Sequence, residues 1–367
     1  QHLPDLTYPW IAMALTRTWT NNAAQTVFSI DCMNIALVYG GNSSEREISV
    51  LSGKNISTHL LAADRNVFEI DIFGTRWELV AVNGQDVPPA QVDKNGFTVT
   101  WQGEGISFDV VVLMIHGTPG EDGLLIAYLE MLGIPHTGCP ARTALLAFDK
   151  LACKAYLRGN GIKMAREFRV TRQTLAGPWQ QQAARVLGPM PWFVKPVAAG
   201  SSYGVSRVSE PSQLLPAVEY AMKEDHVVMI EEFIQGIEVT NGIMKTAEKE
   251  FILPVTEIIP GNGCEFFDYK AKYQGVSMEI TPARITPRMT HLVQQTTSRI
   301  YDNLMCRGIV RVDYILRGED LYFLEINTLP GMTQKSLVPQ EILSAGMTLR
   351  GFLDQLICSA IDEYQRV

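Results

Sequence analysis

The sequence contains no cysteine pattern that would bind a metal or link a small secreted fold. Its six cysteines are scattered, and none forms a CxxC pair or a cluster with histidine. Scattered cysteines are typical of reduced thiols, so we expect a cytoplasmic location. The residues therefore support neither a structural zinc site nor a disulfide framework.

Long apolar runs and an excess of basic residues are also missing. The longest charge-free apolar strands, such as VVVLMI (110–115), are far too short to span a bilayer. Lys and Arg total 31 against 39 Asp and Glu, and this net charge of -8 gives no general attraction to nucleic acid or anionic membrane. We therefore expect no nucleic-acid partner and no membrane partner. A hydrophobic fraction of 46% in 367 residues is typical of a soluble globular protein with two or three domains.

Two familiar nucleotide-binding patterns are absent as well. The sequence has no GxxxxGK[ST] loop, and its first strand–Gly–Gly turn lacks GxGxxG, which argues against a Rossmann oxidoreductase. That turn, LVYGGNSSEREISV (37–50), carries acidic residues where a phosphate might be expected. Ser44 and Glu47 fit a helix capping box, so we predict that they begin the helix. Glu45 would complement the helix dipole in the same turn, so its role stays open at this point.

The pattern of strands and helices changes along the chain. Residues 1–32 have weak periodicity and precede a clear strand, so we expect Met33 to be the natural start and 1–32 to be an upstream extension. Strands and helices then alternate over 33–139, which predicts an α/β region with a doubly wound parallel sheet. Later strands are closely spaced, which predicts α+β structure with antiparallel sheets. This part includes a helix at 143–158 and a strand at 251–259.

The clearest candidate site lies in RVDYILRGEDLYFLEIN (311–327), where the central RGED predicts an antiparallel hairpin. Because side chains alternate along a strand, Asp313 should face Glu325 and Asn327 across the hairpin. Phe323 is expected on the same face. Hard oxygen ligands of this kind suit Mg²⁺, which takes a few protein ligands together with phosphate oxygens. A solvated polar strand face is the alternative interpretation.

Three loops have residues that suit a nucleotide. In WFVKPVAAGSSYGVSRV (192–208) a strand delivers Lys195 to a Gly/Ser loop whose N–H groups could cradle phosphates. EEFIQGIEVT (231–240) offers backbone groups and acids for an adenine edge and ribose hydroxyls. EFFDYKAKYQG (265–275) is a lysine-rich loop that could form an anion lid. A hairpin turn, a strand pair and a solvated loop are the respective alternatives.

Two further segments could serve chemistry. In LPGMTQKSLVP (329–339) the N–H of Gly331 could stabilise an oxyanion beside Arg311. His116 in HGTPGEDG (116–123) could be catalytic, although a turn histidine is more often structural.

Together, in this order and spacing, the motifs closely resemble D-alanine–D-alanine ligases of the ATP-grasp superfamily. The match extends over about residues 34–340. It is carried by GGNSSEREIS (40–49), HGTPGEDG (116–123), FDK (148–150), VKPVAAGSSYGVS (194–206), EEFIQGIEVT (231–240), FFDYKAKY (266–273), VRVDY (310–314) and LEINTLPGMTQKSL (324–337).

The resemblance implies a multidomain fold and a set of roles. Region 33–139 would be the pre-ATP-grasp domain, and 140–236 and 237–367 the two parts of the ATP-grasp fold. The implied ATP-binding residues are Lys150, Lys195, Glu231, Glu232, Phe233, Ile234, Glu238 and Lys272. The implied ligands of two Mg²⁺ (or Mn²⁺) ions are Asp313, Glu325 and Asn327. The implied catalytic residues are Glu45, Ser201, Tyr273, Arg311 and Gly331, and the implied amino-acid-binding residues are Glu45, His116, Ser336 and Leu337.

The implied reaction joins two D-alanines at the expense of ATP, through a D-alanyl phosphate, to supply peptidoglycan precursors. The implied assembly is a homodimer. Ligases that make D-alanyl-D-lactate or D-alanyl-D-serine are the close alternatives. Lys272 and Tyr273 match the D-alanine type, while Phe267 replaces a tyrosine that some members carry. A non-catalytic ATP-grasp-like module should lack the predicted metal residues, and this sequence keeps them.

Overall fold

The computed structural model describes residues 32–62, 64–200, 203–259 and 278–365, and all statements on structure below concern these ranges. Residues 1–31 of the extension predicted over 1–32 lie outside them. Ser201, Phe267, Lys272 and Tyr273 lie outside them too, so their predicted roles stay predictions.

The elements follow one another in three groups. The first group is β1 (Met33–Gly40), α1 (Arg46–Leu60), β2 (Arg65–Phe73), β3 (Arg76–Val82), β4 (Gln85–Gln91), β5 (Val99–Trp101), β6 (Glu104–Ile106), β7 (Val110–Met114) and α2 (Leu124–Met131). The second is α3 (Ala141–Phe148), α4 (Lys150–Gly159), β8 (Glu167–Thr171), α5 (Trp179–Leu187), β9 (Trp192–Pro196), β10 (Ser206–Val208), α6 (Pro211–Ala221) and β11 (Val227–Glu232). The third is β12 (Ile237–Lys245), β13 (Glu250–Ile252), β14 (Thr256–Ile259), β15 (Met278–Ile280), α7 (Pro287–Asn303), β16 (Ile309–Arg317), β17 (Asp320–Asn327), α8 (Leu337–Ser344) and α9 (Leu349–Gln365).

The first group forms a five-stranded sheet in the order β4-β3-β2-β1-β7. Strand β1 pairs in parallel with β2 and β7, and β3 and β4 add an antiparallel edge. Buried residues alternate along β1, so that Ile35 and Leu37 pack in the core with α1 and α9, whereas Ala36 and Val38 pack in the core with α2. The parallel α/β sheet predicted for this region is confirmed, with helices on both faces.

The later elements form two antiparallel sheets. The four-stranded sheet has the order β10-β9-β11-β8 and is covered by α5 and α6. The larger sheet has the order β15-β14-β12-β16-β17, with β13 paired to β12, and α7 packs on it. Antiparallel sheets in this part of the chain confirm the predicted fold class. No helix within the described ranges is long and apolar enough to cross a bilayer.

Two predicted elements are interrupted in the structure. The helix predicted at 143–158 is two helices, because Asp149 adopts an extended conformation and its side chain accepts a hydrogen bond from Ala152 N at 2.9 Å. The break places Lys150 in the first turn of α4. The strand predicted at 251–259 also divides, leaving residues 253–255 between β13 and β14. The first interruption lies at the functional site described next, because Lys150 lines its cleft.

Candidate functional site

A cleft of about 420 Å³ is lined by residues of both antiparallel sheets. Lys195 on β9 and Glu231 on β11 line it from the four-stranded sheet. Asp313 on β16 and Glu325 on β17 line it from the larger sheet, and Lys150 lines it from the start of α4. A concave site with apolar walls and a few converging charges is typical of nucleotide and cofactor sites.

The β16–β17 hairpin places the predicted carboxylates together. Asp313 pairs with Glu325, and Arg311 pairs with Asn327. The prediction for Phe323 is wrong, because a bulge at Leu324 shifts the register and Phe323 pairs with Tyr314 instead. Phe323 therefore packs in the core, while the cleft face carries the polar groups.

Asp313 accepts hydrogen bonds from three neighbours. Arg311 binds it with two parallel bonds of 2.8 Å, and Asn327 Nδ2 donates at 3.1 Å. Thr240 Oγ1 on the adjacent strand β12 donates at 2.5 Å. Burial acts against the charge of Arg311, but Asp313 outweighs it and raises the pKa of this guanidinium above its ordinary value. The structure therefore fixes a permanent positive charge beside the carboxylate pair.

The donor set fits a magnesium ion better than a transition metal. Two carboxylates and one amide supply hard oxygen atoms at the edge of the cleft, and phosphate oxygens would complete the coordination. No group of three His, Cys, Asp or Glu residues with metal-binding geometry occurs in the described ranges.

Glu231 is held between two lysines. Its Oε2 contacts Lys195, which faces the cleft, and its Oε1 contacts Lys154, which has no exposed side-chain surface. Burial, with the nearby charge of Lys195, lowers the pKa of Lys154 well below its ordinary value. The sequence reasoning missed Lys154, although it lies one helical turn after Lys150 in α4 and could have been found by that spacing.

Lys150 contacts the opposite wall of the cleft. Its Nζ donates to Ala199 O at 2.6 Å and lies 3.4 Å from Glu325 Oε2. The lysine therefore joins the loop after β9 to the predicted metal residues. A phosphate entering the cleft would meet Lys150 and Lys195 on one side and Glu325 on the other.

The segment from β11 to β12 lines the apolar end of the cleft. Phe233 and Ile234 form part of the wall, together with Glu232 and Glu238. Arg166 holds Glu232 through its guanidinium and its backbone N–H, and the pair lowers the pKa of Glu232. The Glu232 carboxylate is thus fixed as a hydrogen-bond acceptor at this end of the cleft.

The start of α1 differs from the prediction. The helix begins at Arg46, its N-cap residue is Glu45, and no side chain caps it, so the predicted Ser44–Glu47 capping box is wrong. The turn before the helix is instead held by Ser43, whose Oγ accepts from Glu45 N at 3.2 Å and donates to His116 O at 2.7 Å. Ser43 thereby ties the helix start to the turn after β7.

Glu45 itself is buried, and its side chain points toward the loop that follows β9. A Cβ atom added at Gly200 would lie 2.1 Å from Glu45 Oε2, so only glycine permits this approach. Glu45 is therefore close to the loop that follows Lys195 and precedes Ser201. This position suits a carboxylate that receives a substrate ammonium group inside the site.

His116 and Glu121 lie in the turn after β7, close to Glu45. The ring nitrogens of His116 contact Leu329 O at 3.0 Å and Ser52 Oγ at 3.3 Å, and burial lowers its pKa. This favours a positioning role over direct catalysis. Glu121 accepts from Gly117 N at 2.7 Å, and burial, reinforced by the Glu45 charge, raises its pKa to about 8.

The 329–337 segment lies next to α1 and leads into α8. Met332 N donates to Ser52 Oγ at 3.2 Å, and Asn55 Nδ2 donates to Met332 O at 2.7 Å. Ser336 is the N-cap residue of α8, and its Oγ would lie 3.0 Å from a Cβ at Gly331. Leu337 is buried in the first turn of that helix. Gly331 and Ser336 are thus neighbours.

This architecture, two antiparallel sheets that enclose a cleft with lysines on one wall and carboxylates on the other, defines an enzyme of the ATP-grasp class. Family models extend the assignment. The D-ala D-ala ligase N-terminus model matches residues 34–139, and the D-ala D-ala ligase C-terminus model matches residues 157–358. The chain belongs to the D-alanine–D-alanine ligase family.

Individual relatives agree with the family models. The chain is 40% identical over 324 residues to the D-alanine–D-alanine ligase of Phocaeicola vulgatus, covering 88% of this chain and 98% of the relative. It is 41% identical over 332 residues to that of Porphyromonas gingivalis, covering 90% and 98%. Among solved structures, the VanG D-Ala:D-Ser ligase of Enterococcus faecalis matches with TM-score 0.78 and 29% identity over 90% of this chain and 99% of that one. The Bacillus anthracis D-alanine–D-alanine ligase complexed with ATP matches with TM-score 0.72 and 27% identity over 91% and 99%.

Proposed function

We propose that this protein joins two D-alanine molecules to D-alanyl-D-alanine with ATP as the co-substrate, for peptidoglycan precursor synthesis. The observation that carries the proposal is the cleft in which Lys150 and Lys195 face the Asp313–Glu325 pair, with Glu45 close by. A nucleotide phosphate and an amino-acid ammonium group can thus be held in adjoining places.

The chemistry requires an activated carboxylate. The carboxylate of the first D-alanine attacks the γ-phosphorus, and ADP leaves as an acylphosphate forms. The amine of the second D-alanine then attacks the acyl carbon, loses a proton and expels phosphate. Positioning and charge neutralisation, rather than a protein nucleophile, account for catalysis of the phosphoryl step.

The cleft residues divide into three tasks. Glu231, Glu232, Phe233, Ile234 and Glu238 would bind adenosine, and Lys150 and Lys195 would bind the phosphates. Asp313, Glu325 and Asn327 would hold two magnesium ions, which when bound offset the negative charge of the phosphate oxygens. Lys272 would add a third cation.

Other residues would serve the amino acids. Glu45 would face the ammonium group of the first D-alanine, with Ser201 and Tyr273 hydrogen-bonded to it and His116 positioning the corner. Arg311 and the Gly331 N–H would stabilise the oxyanion formed when the second amine attacks. Ser336 and Leu337 would contact the second D-alanine.

The decisive experiment incubates the purified protein with ATP, Mg²⁺ and D-alanine, and identifies products by mass. We expect D-alanyl-D-alanine, ADP and phosphate in equal amounts. Parallel reactions add D-serine or D-lactate, because one structural neighbour is a D-Ala:D-Ser ligase. Phosphate release without the dipeptide, or a mixed product formed in preference, would overturn the D-alanine assignment. The cytoplasmic location and the homodimer stay predictions that fractionation and light scattering can test.

A further inference from the structure

A buried glutamate with no part in the proposed chemistry lies behind the acceptor side of the site. Glu341, in α8, has no exposed surface. Its Oε2 accepts from Gly242 N at 2.8 Å and its Oε1 from Thr256 Oγ1 at 3.1 Å. Thr256 Oγ1 in turn lies 2.7 Å from Thr281 Oγ1. Burying an unpaired carboxyl group is costly, so this arrangement is a built contact between helix and sheet.

The contact occupies the gap between β13 and β14. At the interruption between these two strands, Gly242 O accepts from Leu253 N at 2.9 Å, while Gly242 N donates to Glu341. Gly242 also provides the space, since a Cβ atom at this residue would lie 2.6 Å from Glu341 Oε2. The strand interruption, Gly242 and Glu341 are therefore parts of one contact between helix α8 and the sheet.

This contact lies next to strand β16, which carries Arg311 and Asp313. Gly242 pairs with Arg311 across the sheet, and Thr240 pairs with both Asp313 and Thr256. The charges of Arg311 and Asp313 both act on Glu341. Helix α8 begins at Leu337 after the N-cap Ser336, one turn before Glu341.

We propose that Glu341 is a positioning residue that sets helix α8, with its acceptor-binding Ser336 and Leu337, against the strands that carry Arg311 and Asp313. This inference rests on the proposed function, because it needs those two residues to contact the second amino acid. A small shift of α8 would misplace the amine relative to the acyl carbon while leaving the ATP cleft intact.

A misplaced acceptor has a specific consequence. The acylphosphate would still form, but water would compete with the second amine, so more than one ADP would be released per dipeptide. Burial raises the pKa of Glu341 well above its ordinary value, with the bond from Gly242 acting against this effect. A neutral amide should therefore replace it well, since it can accept from Gly242 N and donate to Thr256 Oγ1.

The experiment measures the ADP-to-dipeptide ratio, the KM for the acceptor and the Kd for ATP in the full-length enzyme. Glu341→Ala should raise the acceptor KM about tenfold and should release several ADP per dipeptide formed. The ATP Kd should change less than about twofold. Glu341→Gln should stay near wild type. Glu69→Ala is the matched control, because Glu69 is equally buried and hydrogen-bonded to Tyr39 and Ser57 but lies in the first sheet.

A milder pair keeps the test decisive if Glu341→Ala does not fold. Thr256→Val removes one bond to Glu341, and Ser57→Ala removes one bond to Glu69. We expect Thr256→Val alone to raise the acceptor KM and the ratio. An unchanged ADP-to-dipeptide ratio and acceptor KM in folded Glu341→Ala or Thr256→Val, or an equal loss of ATP affinity, overturns the inference. A wild-type enzyme that forms no dipeptide overturns the proposed function instead.

Discussion

The two walls of the cleft present different functional groups to a phosphate. The four-stranded sheet and α4 contribute Lys150 and Lys195, with Glu231 placed between Lys195 and the buried Lys154, whereas the larger sheet contributes Asp313 and Glu325. Lysine can contact a phosphate directly, while a carboxylate contacts it only through a cation. Under the proposed function, the lysine wall would therefore contact the nucleotide phosphates directly, and the carboxylate wall would do so only through a bound metal ion.

The walls also differ in how their charges are fixed. On the lysine wall, Glu231 holds Lys195 in place through contacts that also reach a buried lysine. On the carboxylate wall, Arg311, Asn327 and Thr240 hold Asp313. Each wall thus uses a group of the opposite sign to orient its functional residues, which limits the entropy lost when the substrate binds.

The largest effect should come from the carboxylate wall. Glu325→Gln should lower kcat by about a thousandfold by weakening metal binding, with the fold unchanged. Steady-state assays over a Mg²⁺ series would check it. Glu319→Gln, on the exposed turn of the same hairpin, is the control and should retain full activity. Wild-type rates for Glu325→Gln would remove the metal assignment.

The lysine wall should respond in ATP affinity. Lys154→Met removes the buried partner of Glu231 and should raise the KM for ATP about tenfold, because Glu231 and Lys195 lose their fixed geometry. Titration with ATP would measure it. The exposed Lys163→Met serves as the control, and an unchanged ATP KM would restrict Lys154 to a packing role.

A variant on the amino-acid side of the site should affect different kinetic constants from variants of the two walls. Glu45→Gln should raise the KM for the first D-alanine about tenfold while the ATP Kd changes little, since under the proposed function its carboxylate would face the ammonium group. Glu47→Gln, exposed in the same helix turn, is the matched control. Equal losses for ATP and D-alanine would return Glu45 to a structural role.

The last prediction concerns stability and leaves the activity of either wall unchanged. The pKa of Glu121 rises from 4.5 to about 8 on folding, so the folded state binds more protons and stability falls as pH increases through this window. Glu121→Gln removes that loss and should gain stability relative to wild type between pH 5 and pH 8.5. Urea unfolding at both values would measure it, with the exposed Glu104→Gln as the control. A stability difference that does not grow with pH would contradict the raised pKa of Glu121 in the folded state.

Much of the fold and the cleft could be predicted because the patterns are local. Strand alternation was enough to bring Asp313 and Glu325 to one surface, and strand spacing was enough to separate parallel from antiparallel regions. The capping box and the face of Phe323 were predicted wrongly. In both, a tertiary contact decided the outcome: Ser43 is held by His116 O, and Phe323 packs against Tyr314.

The sequence by itself determined the order of motifs, the family and the chemical types of the site residues, because those depend on residue identity and local periodicity. Only the tertiary structure decided which charges meet. Lys154, Thr240 and Glu341 became visible once strands and helices distant in sequence lay within hydrogen-bond distance. Burial then fixed their partners, since an ionisable group removed from water must find a compensating contact that no local pattern specifies.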